Sequence, residues 1–170
     1  PILIDEKIGD LLIFSNNPIY TNWNSNIKAH ELIQYLLPSE DLEDFNLIKK
    51  NLNNIETYNF AEITKKYYLN NYIISLIFIS NNEIRVLSKL YNGKNKIIKN
   101  NSFQNLNLDN NEDLNLLIEN LKSLFEDTWK KLNEINTSIN LPIIIKIKNE
   151  NLKKSKNFEL FLNEMDLVSD

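Results

Sequence analysis

Four carboxylates fall within five residues at Glu40, Asp41, Glu43 and Asp44, inside the stretch ELIQYLLPSEDLEDFNLIKK that runs from Glu31. Carboxylates at this density can supply oxygen ligands to Mg2+ or Ca2+ or pair as acid and base around a reacting bond. They can also settle at the amino end of a helix, where the backbone dipole favours each negative charge by about 0.3–1 kcal/mol. Pro38 and Ser39 come directly before the cluster, and Leu42, Phe45, Leu47 and Ile48 recur near helical spacing through and beyond it. That arrangement puts the acids in the first turn of a helix. A helix start accounts for the whole cluster, and it is the reading carried forward. A cation or catalytic site built on Glu40–Asp44 is the alternative, and a partner-facing patch is a third. An EF-hand loop is excluded, because its D-x-[DN]-x-[DN]-G spacing is absent.

Other chemistries lack their parts. The single histidine, His30, could be a general base or a metal ligand, but no partner residues stand with it, and a polar position on the tail of a helix is the simpler account. One imidazole also rules out H-E-x-x-H and other multi-histidine zinc sites. The two glycines, Gly9 and Gly93, stand alone in turn-like contexts, so no glycine-rich phosphate cradle is present. Tyr67 and Tyr68 beside Lys65 and Lys66 could stack on a single-stranded base while the lysines meet phosphate. The same residues are equally those of an amphipathic helix end with carboxy-terminal lysines. The run NLKKSKN reads as a solvated helix face. No residue is assigned a catalytic, cofactor-binding or metal-binding role, and no cofactor is expected.

LLIFS at Leu11–Ser15 reads as a buried strand between Gly9-Asp10 and Asn16-Asn17-Pro18. A helix follows in IYTNWNSNIKAHEL with Ile19, Trp23 and Ile27 on one face, then a strand from Ile33 to Leu37 stopped by Pro38. After the helix that begins in the acidic cluster, Asn59 and Glu62 have capping-box spacing for a helix whose buried stripe is Phe60, Ile63 and Tyr67. NYIISLIFIS is apolar throughout and β-branched, as a strand at the centre of a sheet must be. IRVLSKL should be a strand with one face nearer water. Gly93 marks a hairpin turn into KIIKNNSFQ, a polar, lysine-bearing edge strand. The longest helix runs from Asp109 to about Ile135 and should lie across the sheet on Leu114, Leu117, Ile118, Leu121, Leu124, Phe125, Thr128, Trp129 and Leu132.

The fold expected is α/β: a mixed sheet of about five strands covered by helices over residues 1–138, followed from Ile139 to Asp170 by the start of a small βαβ, ferredoxin-like module. The opening at Pro1 without an initiator Met and the stop at Asp170, just as EMDLVSD begins to look like a strand, lead us to expect a fragment of a longer chain. Its 170 residues, 42% hydrophobic, suffice for one core. A net charge of -4 creates no field drawing the chain to nucleic acid or anionic lipid. The absence of cysteine removes disulfides, thiolate catalysis and cysteine-zinc sites while leaving the compartment open. No apolar run approaches the roughly 20 residues of a membrane-spanning helix. The 31 asparagines occur in helices, strands and turns alike, as A/T-rich coding pressure would leave them, and not as a low-complexity tract.

The succession LLIFS, Trp23, LLPSEDLEDFNLI and FAEITKKYYLNNYIISLIFI is similar to an uncharacterised proteobacterial domain family, of the alphaproteobacterial type. In that family a Leu-Pro-x-x-Asp-x-x-Asp segment precedes a helix and a Tyr precedes an apolar strand, as Pro38, Asp41, Asp44, Tyr68 and Ile73–Ile79 do here. This sequence carries Asn where the family has glycines and an Asp before the central strand. The resemblance implies an α/β, envelope-associated domain, periplasmic after export, with another envelope protein as partner. It brings no catalytic residues. The function expected is therefore non-catalytic protein interaction or assembly. The alternatives are a metal-dependent enzyme or ligand binder using Glu40–Asp44, or a weak single-stranded nucleic-acid binder, and a cytoplasmic location is the alternative to the periplasm.

Overall fold

The computed structural model describes residues 1–6, 9–25, 32–80, 83–93, 95–134 and 152–163. Two compact units are present, Pro1–Trp129 and Lys130–Asp170. The first is built on a five-stranded mixed sheet of β1 (Ile2–Asp5), β2 (Asp10–Leu12), β3 (Asn71–Ser80), β4 (Glu83–Asn92) and β5 (Asn95–Gln104), in the spatial order β2-β1-β3-β4-β5. The β1–β3 pair is parallel, with Leu3 opposite Ile77, and the remaining pairs are antiparallel. The fold is thus of the α/β class with helices on the sheet.

β3 takes the middle of the sheet because its sequence is apolar on both sides: Leu76 and Ile77 are completely buried, one toward each face. On one face α4 (Asn111–Leu132) lays Leu114, Leu117, Ile118, Leu121 and Phe125 against Leu3, Ile77, Ile84, Val86 and Leu90, joined by Ile19 and Trp23. On the other face α2 (Leu42–Lys50), α3 (Ala61–Lys65) and the turn between them place Ile48, Ile55, Phe60 and Ile63 on Ile2, Ile4, Leu76, Phe78 and Leu87. The α4 stripe follows the expected spacing as far as Thr128, while Trp129 and Leu132 are exposed.

Several expectations need correction. The strand read at Leu11–Ser15 is β2 at Asp10–Leu12, followed by a 3-10 turn at Phe14–Asn16, and β1 joins it as a strand the sequence reading did not include. The helix expected through Ile19 and Trp23 is the short α1 (Pro18–Asn22); Ile27 lies outside the described residues. Asn17 sets that helix start: buried, it accepts at Oδ1 from Ile19 N (2.9 Å) and Tyr20 N (3.4 Å) and donates from Nδ2 to the carbonyls of Pro1 and Leu12.

Ile33–Leu37 is no strand. It keeps a two-residue alternation, with Ile33, Tyr35 and Leu37 packed on the α4-side core, but the backbone of Tyr35 and of the flanking Leu32 and Pro38 bonds to side chains. Glu126 accepts from Leu32 N (3.0 Å), Asn24 Nδ2 donates to Tyr35 O (3.3 Å) and the Tyr20 hydroxyl donates to Pro38 O (2.6 Å). β4 is covered on both faces, since Leu87 and Lys89 are buried on one as Ile84, Val86, Ser88 and Leu90 are on the other. The expectation of a watery face fails there because α3 and the turn before it cover that side. β5 is the polar edge strand expected, and Gly93 turns into it at φ 57°, a left-handed geometry suited to glycine.

Within the second unit, α5 (Leu152–Asn163) is a helix with Phe158, Leu160 and Phe161 exposed. The strands expected at LPIIIKIK and EMDLVSD, and the boundary near Ile139, lie outside the described residues. No helix among the described residues is long and apolar enough to cross a membrane.

Candidate functional site

α2 begins at the acidic cluster. Asp41 is its N-cap, with extended backbone, and Oδ1 accepts from Glu43 N (2.8 Å) and Asp44 N (3.3 Å). This satisfies two of the amides that the first turn of any helix leaves without intrahelical partners. Glu43 and Asp44 sit in that first turn, while Lys49 and Lys50 occupy the last, matching the sense of the helix dipole. Glu40 departs from the expectation. It precedes the cap, and its Oε1 accepts from Ser15 N at 3.0 Å, tying the segment before α2 to the turn after β2.

Two of the four acids, Asp41 and Asp44, converge on a cation belonging to the chain itself. Lys66, just past the end of α3, reaches Asp41 Oδ2 at 2.7 Å and Asp44 Oδ1 at 2.6 Å. Asp44 is buried, with 3% of its side chain exposed, whereas Asp41 and Lys66 keep about a third of theirs in solvent. One ammonium thus bridges a solvated carboxylate and a buried one, and pins the start of α2 to the end of α3. The Lys66 hydrogen bond, followed by those from the Asp44 and Glu43 amides, holds the Asp41 carboxyl below its ordinary range. The two carboxylates in turn raise Lys66, Asp41 more than Asp44. Two phenols stand near the same carboxylate: burial first, then Glu62 and Asp44, raise Tyr58, and burial with Asp44 raises Tyr67. The second oxygen of Asp44, Oδ2, is buried with no hydrogen-bond partner among the described residues.

Such an arrangement is suited to holding two helices together. A general base needs a carboxylate able to reach substrate and exchange its proton. Here one carboxylate is spent on two amides and an ammonium, and the other is shut in beneath the same ammonium. No group of three or more acidic, histidine or cysteine side chains placed to hold a metal ion occurs among the described residues.

His30 lies outside the described residues. Asn59 Oδ1 accepts from Ala61 N at 3.0 Å as α3 begins, and Phe60 and Ile63 are buried as expected. The aromatic-basic quartet is divided: Lys66 is engaged by the carboxylates, Tyr67 is half-buried, and Lys65 and Tyr68 face solvent. Tyr68, 94% exposed, ends the α3 segment at φ 51°, a left-handed conformation that a bulky residue adopts rarely.

Two lysines escaped the sequence reading as structural elements. Lys66 is one, and nothing in its local sequence points to carboxylates 22 and 25 residues earlier. Lys89 is the other: 2% exposed on β4, it donates to Tyr58 O at 3.2 Å and lies over the Phe60 ring at 5.2 Å. Burial, with a smaller contribution from Lys96, depresses its pKa. An alternating strand that places Lys beneath a helix gives no local warning of it.

A scan against protein-family models finds no match, and searches of curated proteins and of solved structures return none either.

Proposed function

We propose that this chain is a non-catalytic protein-interaction or assembly module associated with the bacterial cell envelope, acting in the periplasm through contact with another envelope protein. The observation that carries the non-catalytic part is the Asp41–Lys66–Asp44 bridge. The residues best placed by sequence for acid-base or cation chemistry are taken up in joining α2 to α3. The envelope location is supported by the resemblance in LLPSEDLEDFNLI and the tyrosine-led central strand. Two experiments bear on these parts separately. Purified chain should turn over no phosphate, ester or glycosidic substrate, and turnover abolished by Asp41→Ala would reject the non-catalytic reading. Fractionation of native cells should recover the protein with the periplasm, and recovery wholly in the cytosol would reject the location.

One observation favours a second reading, a metal-dependent enzyme or ligand binder at Glu40–Asp44. Asp44 Oδ2 is a buried acceptor without a donor among the described residues, and a bound cation is one way to satisfy such an oxygen. Calorimetric titration with Mg2+, Ca2+ and Mn2+ separates the readings: saturable heat lost in Asp44→Asn belongs to the second, and its absence to the first.

A further inference from the structure

The two edges of the sheet are finished differently. At one side, β2 has three residues, and Asn17 Nδ2 donates to Leu12 O where the strand ends. Short length and a side-chain cap leave little for another strand to join. At the other side, β5 runs for ten residues, pairing with β4 residue by residue from Asn95 opposite Asn92 to Gln104 opposite Glu83, with no bulge to twist the edge away. No described residue hydrogen-bonds to its outer edge. About half the N–H and C=O groups of an antiparallel strand point away from its partner, and ten residues extend roughly 33 Å. β5 is thus a long template for strand addition, with neither proline nor cap to interrupt it.

Charge selects what can be added. Lys96 and Lys99 are the ionised side chains of β5, one on each face of the strand, while on β4 beside it Arg85 is paired with Glu56 and Lys89 is buried. Two copies paired through β5 would bring four ammonium groups and no carboxylate to one ribbon, two on each face, so that the pairing gains no opposite-charge pair. A strand bearing carboxylates on both of its faces meets the opposite condition and gains attraction at both lysines. Ile98 stands 55% exposed among Lys96, Asn100, Ser102 and Gln104, so an apolar side chain on the incoming strand would cover it.

We infer that the outer edge of β5 receives an extended, acidic segment of a partner protein, added as a sixth strand through main-chain hydrogen bonds with carboxylates set against Lys96 and Lys99. This assignment rests on the interaction-module reading and names its surface. The test uses the full chain and two fluorescent ten-residue peptides, one of valines with glutamate at every third position, so that successive glutamates fall on opposite faces as Lys96 and Lys99 do, the other with lysine at the same positions. Anisotropy should show the acidic peptide binding at least about tenfold more tightly, with the preference reversed in Lys96→Glu/Lys99→Glu. Hydrogen exchange should show about half of the β5 amides open in the free chain and slowed by the acidic peptide. The inference is overturned if the acidic peptide does not bind, if the double variant binds it unchanged, or if the outer amides are already protected in the free chain. A dimer protecting the same amides in sedimentation and exchange would overturn it too. A partner cross-linked in native cells at a site remote from β5 would remove this edge alone, whereas catalytic turnover by the isolated chain would remove the module reading itself.

Discussion

Lys66 is the residue on which the acidic segment depends, and its behaviour with pH follows from the directions of the shifts. Asp41 is depressed in the folded chain, so its contribution is fully present above its ordinary value of 3.8 and is lost as pH falls through the lower folded value. Lys66 is raised, so its contribution is fully present below its ordinary value of 10.5 and is lost as pH rises through the higher folded one. Lys66→Met should therefore be destabilised relative to the parent by a constant amount between about pH 5 and 9, with the gap narrowing below 3.8 and above 10.5. Urea denaturation across that range measures it. A gap that does not narrow at either extreme would mean that the lysine acts through packing rather than charge. Asn17 makes a second prediction at this scale. Asn17→Ala removes a cap and two carbonyl partners at once and should cost about 1–3 kcal/mol, read as a lower urea midpoint at unchanged slope. The role of Asp41 was legible in the sequence, because a proline, a short polar spacer and an apolar periodicity together specify a helix start. Lys66 was not, since an ion pair across 22 residues depends on where α3 ends.

Among elements, those whose residues are all of one kind were the easiest to read. β3 is apolar on both faces, so its central place follows from composition, and the α4 stripe follows from spacing. Leu121 is completely buried in that stripe, so Leu121→Ala should lose about 2–5 kcal/mol. Equilibrium unfolding checks this, and a loss well under 1 kcal/mol would mean that α4 does not cover the sheet as described. Ile33–Leu37 shows why alternation alone misleads. A period of two records which side chains face a core, and it is the same whether the backbone pairs with a strand or is tied by Glu126, Asn24 and Tyr20 side chains. β4 misled for a related reason, because Lys89 looks solvent-facing until another part of the chain covers it. Four-residue β1 offered too few positions to show a pattern of its own, and its pairing with β3 on one side and β2 on the other makes it a strand.

For the molecule as a whole, the α/β class with a five-stranded mixed sheet was legible, because fold class depends on the order and polarity of elements more than on their boundaries. The functional assignment is less direct, since it turns on what the acidic segment does once folded. Asp41 and Asp44 are engaged by an internal ammonium, so that of their four carboxylate oxygens only Asp44 Oδ2 lacks a described partner, and a single buried oxygen is too few ligands for a divalent ion. The most direct test is to follow backbone amides by NMR while adding Mn2+ to about millimolar concentration, since its unpaired electrons erase signals near any bound ion. Amides from Asp41 to Phe45 should fade no more than those beside the exposed acid Glu112. Selective loss centred on Asp41 and Asp44, abolished in Asp44→Asn, would contradict it.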